Sequence, residues 1–164
     1  METTRTKCFI VNLCLAAIAS LVFTGCGSKD DPKPAGKGKI NMKFTVTVQN
    51  AAAAGQVDFQ VMAANHDASQ YGAPVWKMNG VTQNNEQAII ISKGSFTGST
   101  KTYVFETVKA FDFGKLGVTC SAVDGGVVTL SYKAEVDGKV ETSVENVAVT
   151  SAQIYIKDFS YEGK

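Results

Sequence analysis

The sequence predicts an all-β domain: an antiparallel β-sandwich of immunoglobulin-like or transthyretin-like architecture with about nine strands. Three observations carry this. Apolar and polar residues alternate with period two over long stretches from Ile40 onward. Turn chemistry such as Asn79-Gly80, Asp124-Gly125-Gly126 and Asp137-Gly138 punctuates those stretches. No stretch has the apolar spacing of an amphipathic helix. A small antiparallel β-barrel is the alternative that the same pattern allows.

The first strand is 40–49, where Ile40, Met42, Phe44, Val46 and Val48 alternate with Asn41, Lys43, Thr45, Thr47 and Gln49. Such alternation buries one face and wets the other. The run 51–55, AAAAG, is too short to nucleate a helix and reads as a connection. Val57, Phe59, Val61 and Ala63 mark a second strand. Residues 75–78 and 81–83 pair through Asn79-Gly80, a strong hairpin dipeptide. Strands follow at 88–92, at 101–108 with Tyr103, Phe105 and Thr107 on one side, and at 116–122. In 127–136, Val128, Leu130, Tyr132, Ala134 and Val136 share a face. The strand 139–144 continues at 147–149 past a bulge, and 153–159 closes the series. Two bridged cysteines around a Trp, the hallmark of antibody domains, are absent, so "immunoglobulin-like" describes architecture only.

The N-terminus has a different composition. Arg5 and Lys7 precede an apolar run at 8–23, and Thr24, Gly25 and Cys26 follow. A basic start, an apolar centre and small residues at a cleavage point make a secretory signal. The run is interrupted by Asn12 and falls short of the roughly 20 residues of a spanning helix, so a short membrane anchor is the lesser alternative.

Phe23-Thr24-Gly25-Cys26 resembles a bacterial lipobox, with Phe23 where Leu is usual. The resemblance implies cleavage before Cys26 and lipidation of its thiol. The following Ser28-Lys29-Asp30-Asp31 resembles the Bacteroidetes lipoprotein export signal, which implies the outer membrane and its outward face. A periplasm-facing position is the alternative. The implied organisation is a signal peptide at 1–25, a lipidated cysteine with a flexible tether at 26–39, and the sandwich at 40–164. Residues 27–39, GSKDDPKPAGKGK, lack any large apolar side chain and should not fold. As a coil they span roughly 20 Å on average and about 40 Å at most.

The composition is globular, with 45% hydrophobic and 19% charged residues. Loss of Arg5, Lys7 and Glu2 with the signal would leave 14 basic and 14 acidic residues, and no arginine. A neutral domain without Arg is poorly equipped for nucleic acid or for bidentate phosphate capture. Cys120 is the only cysteine of the domain, so it forms no disulfide there and reads as a small buried hydrophobe.

Catalytic and metal motifs are missing. His66 is the only histidine, and with Cys120 it cannot complete a His/Cys zinc site. His66-Asp67 are neighbours that point apart on an extended chain, and no G-x-S-x-G accompanies them. The sequence has no P-loop, dinucleotide fingerprint or calcium loop, so no cofactor or metal is implied. One loop could recognise a ligand: 65–76 gathers His66, Asp67, Gln70, Tyr71 and Trp76, aromatic faces beside polar groups suited to a sugar ring. The alternative is that Trp76 packs in the core and the loop only connects.

The leading expectation is a surface lipoprotein whose non-enzymatic sandwich binds a glycan or a protein. A structural or accessory subunit of an envelope assembly is the second, and a small hydrolase with dispersed carboxylates the third.

Overall fold

The computed structural model describes residues 38–164. Cys26, Ser28, Lys29, Asp30 and Asp31, with the signal peptide and most of the tether, lie outside the described residues. Among the described residues ten strands run in chain order: β1 (Met42–Gln49), β2 (Ala54–Ala64), β3 (Trp76–Met78), β4 (Val81–Thr82), β5 (Ala88–Ser92), β6 (Thr100–Thr107), β7 (Phe113–Ala122), β8 (Val127–Val136), β9 (Lys139–Thr150) and β10 (Tyr155–Glu162). Among the described residues there is no α-helix, only 3-10 turns at Ala51–Ala53 and Lys93–Ser95. The AAAAG connection is therefore one such turn running into β2.

The strands form two antiparallel sheets, a six-stranded one ordered β4-β3-β6-β1-β8-β9 and a four-stranded one ordered β10-β7-β2-β5. Both sheets are open at their edges, so the fold is a sandwich and the barrel alternative falls. The inward rows are those the alternation predicts. Met42, Phe44, Val46 and Val48 of β1 and Val128, Leu130, Tyr132 and Ala134 of β8 face Val57, Phe59, Val61 and Ala63 of β2 and Leu116, Val118 and Cys120 of β7. Each such Val, Leu or Phe gains about 1.5–3 kcal/mol on leaving water. Phe96 comes from the 93–99 connection and packs on Phe59 and Tyr103 at 5.8 and 5.4 Å.

Several strands run longer than their sequence pattern. β7 begins at Phe113 because Gly114 takes a core-facing place where a side chain would strike Met42 Sδ and the Met62 carbonyl. β10 extends to Glu162, and Tyr161 packs on Phe44 at 5.6 Å. β9 is continuous to Thr150, with register shifts against β8 at two places, the first beside the expected bulge.

The registers also fix which loops share an end. β1 starts, β2 ends, β6 ends and β10 ends at one extremity, the base. The base carries Gly38 and Lys39, the 65–75 and 108–112 loops, the Asp137-Gly138 turn and the C-terminus, and Gly38 N–H donates to the Lys164 carbonyl at 3.4 Å. The opposite extremity, the tip, carries residues 50–53, 93–99, 123–126 and 151–154.

Candidate functional site

The 65–76 loop leaves β2 at the base and returns to β3, and its geometry centres on Asn65. Asn65 is 5% exposed. Its side-chain oxygen accepts from Lys39 Nζ at 2.8 Å and from the Asp112 N–H at 3.1 Å. Its side-chain nitrogen donates to Ser69 Oγ at 2.8 Å, and its own N–H donates to Gln70 Oε1 at 3.0 Å. Lys39 also lies 3.5 Å from Asp112 Oδ1, and Asp112 Oδ2 accepts the His66 N–H at 2.8 Å. One buried amide thus holds together the start of the sandwich, the loop and the strand opening β7. Buried polar groups persist only when satisfied in this way.

The expected site residues divide. Trp76 is fully buried, packs on Phe44 at 5.8 Å, and donates its indole N–H to the Gln87 carbonyl at 2.9 Å. Gln70 is buried as the acceptor for Asn65. Neither can meet a ligand, which corrects the expectation of an aromatic platform spanning 65–76. The physical reason is that Trp76 begins β3 on the core-facing side, where its large apolar area is worth most. His66, Asp67 and Tyr71 are exposed, Tyr71 at 69%. His66 lies 5.2 Å from the Phe113 ring, centroid to centroid. Asp67 accepts the Ser69 N–H at 3.0 Å, and the Ser69 backbone and side chain hold its carboxyl below the ordinary range.

Concave surfaces also lie elsewhere among the described residues. At the base, a cleft of about 430 Å³ between β9 and β10 is lined by Ile40, Val136, Glu141 and Tyr161 among others. On the outer face of the four-stranded sheet, a groove of about 340 Å³ runs over Gly117, flanked by Asp58, Asp158, Ile90 and Ile156. A side chain at position 117 would contact Asp158 Oδ1 at 3.1 Å, so glycine keeps this groove open. Among the described residues no Asp or Glu is buried, and no group of three or more His, Cys, Asp or Glu could hold a metal ion. Burial raises the Cys120 thiol to about 11 and seals it from solvent.

Sequence reasoning missed the tip. Its four segments carry only Lys93 and Asp124 as charged residues, whereas the base segments carry Lys39, Asp67, Lys109, Asp112, Asp137 and Lys164. Val123, Val127 and Ile154 are exposed at the tip, at 48%, 43% and 63%. Turn bonds fix the turn that carries the two valines: Val123 N–H donates to the Ala53 carbonyl and Gly126 N–H to the Val123 carbonyl. Nothing in the local sequence marks these residues, because only the fold brings four separate connections to one end.

No family model matches the chain, and no curated protein matches it at a significant level. The fold is similar to the crystal structure of a DUF4425 family protein from Bacteroides ovatus, with a TM-score of 0.53 and 13% identity over 76% of this chain and 95% of that one. It is also similar to a domain of unknown function, DUF4425, from Bacteroides vulgatus, with a TM-score of 0.51 and 13% identity over 77% of this chain and 95% of that one. At these identities the likeness is one of fold.

Proposed function

We propose that this chain is a non-enzymatic lipoprotein, anchored through Cys26 to the outer membrane and facing outward, whose sandwich presents its tip to a protein partner. The observation that carries the reading is the polarity of the sandwich. The N-terminal strand starts at the charged base, and the neutral extremity with exposed Val123, Val127 and Ile154 lies opposite. An extremity with three exposed aliphatic side chains, only Lys93 and Asp124 as charges, and hydrogen-bonded turns suits protein contact. The burial of Trp76 leaves Tyr71 as the one exposed Tyr or Trp ring of the 65–76 loop, which lends less support to a glycan than to a protein. Among the described residues no carboxylate is buried, which gives no support to a general acid raised by burial.

Two experiments test the reading. Cys26→Ala should abolish incorporation of labelled fatty acid, and equal labelling of variant and parent refutes the anchor. A photo-crosslinker at Ile154, on intact cells, should give a protein adduct that a Val123→Ser/Val127→Ser background removes. A crosslinker at the exposed base residue Val140 should not give that adduct. Adducts that are identical from both positions, or untouched by the serine changes, overturn the tip assignment.

A further inference from the structure

The four sheet edges are guarded unequally. β4 is only Val81–Thr82, too short to template a partner. β9 breaks its register against β8 at two places. In β10, Lys157 stands opposite Val118, in the core-facing row of Tyr155 and Phe159, and its Nζ lies 5.8 Å from the Tyr155 ring centroid. A charge in the core-facing row deters edge-to-edge pairing. β5 has none of these devices. Ala88-Ile89-Ile90-Ile91-Ser92 has no charge, no proline and no shift of register against β2, and Ile90 is 60% exposed.

The backbone of β5 is arranged for a further strand. Ala63 N–H donates to the Gln87 carbonyl at 3.1 Å. Antiparallel ladders alternate, so Gln87, Ile89 and Ile91 turn their N–H and C=O groups toward β2. Those of Ala88, Ile90 and Ser92 then point away from the sheet.

We propose that β5 is a homotypic docking edge, paired antiparallel with β5 of a second copy about a two-fold axis at Ile90. In that register Ala88 faces Ser92 of the second copy and Ile90 faces its own equivalent. The outward N–H and C=O groups then meet in about six hydrogen bonds, and two four-stranded sheets become one. The Ile90 side chains cover each other on the outer face. Charge favours this orientation: exposed Glu86 and Lys93, whose Nζ also donates to the Ala54 carbonyl of β2, flank opposite ends of the strand. Antiparallel pairing brings each Glu86 to the Lys93 end of the other copy, and parallel pairing would set like on like. A five-residue strand pair buries well under the roughly 1,200 Å² of a stable complex, so the pairing is weak and reversible.

The test uses the full-length chain in its own envelope. Ile90→Cys should form a disulfide-linked dimer under mild oxidation, since paired Cα atoms at about 5.5 Å suit the bond. It should do so at least about tenfold faster than Ile156→Cys, an equally exposed position on the far edge of the same sheet. The parent, with Cys120 buried, sets the background. Ile90→Pro removes an outward N–H and spares the β2 ladder, so it should lower self-association of the detergent-extracted protein without lowering the unfolding midpoint. Ile90→Lys should do the same by setting two cations face to face, and it serves if the proline variant fails to fold. Equal cross-linking at positions 90 and 156 overturns the proposal. So does an Ile90→Cys adduct formed only with a different protein, or self-association unchanged by Ile90→Lys.

Discussion

The hydroxyls of Tyr132 and Tyr155 meet at 2.7 Å, joining β8 of the six-stranded sheet to β10 of the four-stranded sheet. Tyr161 adds a second tie, donating its hydroxyl to Thr142 Oγ1 at 2.9 Å. Both link the same flank, so β10 is bonded to the opposite sheet as well as to β7. Tyr132→Phe and Tyr155→Phe should each cost about 1 kcal/mol, the usual net worth of an intramolecular hydrogen bond. The double variant should cost clearly less than the two together, because one bond is shared. Denaturant unfolding of the four proteins measures this, and strict additivity would show that the bond contributes nothing to folding.

Stability should fall at alkaline pH. Burial, followed by the hydrogen bond with Tyr155, raises the Tyr132 hydroxyl above its ordinary 10.0. Burial raises the Cys120 thiol from an ordinary 9.0 to about 11. Both groups keep their protons in the folded state and lose them sooner in the unfolded chain. Their contribution is therefore complete below about pH 9 and is lost as pH rises through the folded values. Cys120→Ala should flatten the part of the decline between about pH 9 and 11, and Tyr132→Phe the part above pH 10. Midpoints of urea unfolding against pH, compared with the parent, give the answer.

Trp76 is the only tryptophan, and it is fully buried. Its emission should be blue-shifted, insensitive to acrylamide, and moved to the red on unfolding. Trp76→Ala should cost about 3–5 kcal/mol, the range for large core aromatics. Tyr71→Ala, in the same loop but exposed, should stay within about 0.5 kcal/mol of the parent. A quenchable tryptophan would return position 76 to the surface and reopen the loop as an aromatic platform.

The strands were legible where one face is buried and the other wet, as in β1, whose alternation from Met42 to Val48 matches its burial residue by residue. Asn79-Gly80 likewise marked its hairpin, with φ of 50° and 81° at the two residues. The strand ends were less legible. Phe113 and Gly114 open β7 without an apolar alternation, and what places them is Met42 packed over the glycine. The loop was half legible. Its polar and aromatic content was plain, but Trp76 belongs to β3, and a residue bordering a strand can face either way. The Asn65 hub was invisible because its partners Lys39 and Asp112 lie 26 and 47 residues away. The tip was hidden for the same reason, being assembled from four connections.

Asn65→Ala should loosen the whole base. The change removes the acceptor shared by Lys39 Nζ and the Asp112 N–H and the donor to Ser69, while the Asn65 N–H can still reach Gln70. Leaving buried polar groups without partners costs about 1–3 kcal/mol. The loss should be local as well as global, because the hub joins residues 39, 65–70 and 112 and touches no tip segment. Hydrogen exchange should quicken at His66, Ser69 and Asp112, whose N–H groups are bonded within this cluster, and stay unchanged at Val123 and Gly126. Lys39→Ala should give a weaker form of the same pattern, since it deletes one donor from a partly exposed position. Uniform acceleration across base and tip would mean that Asn65 acts through global stability alone and that the base is not a separate unit of order.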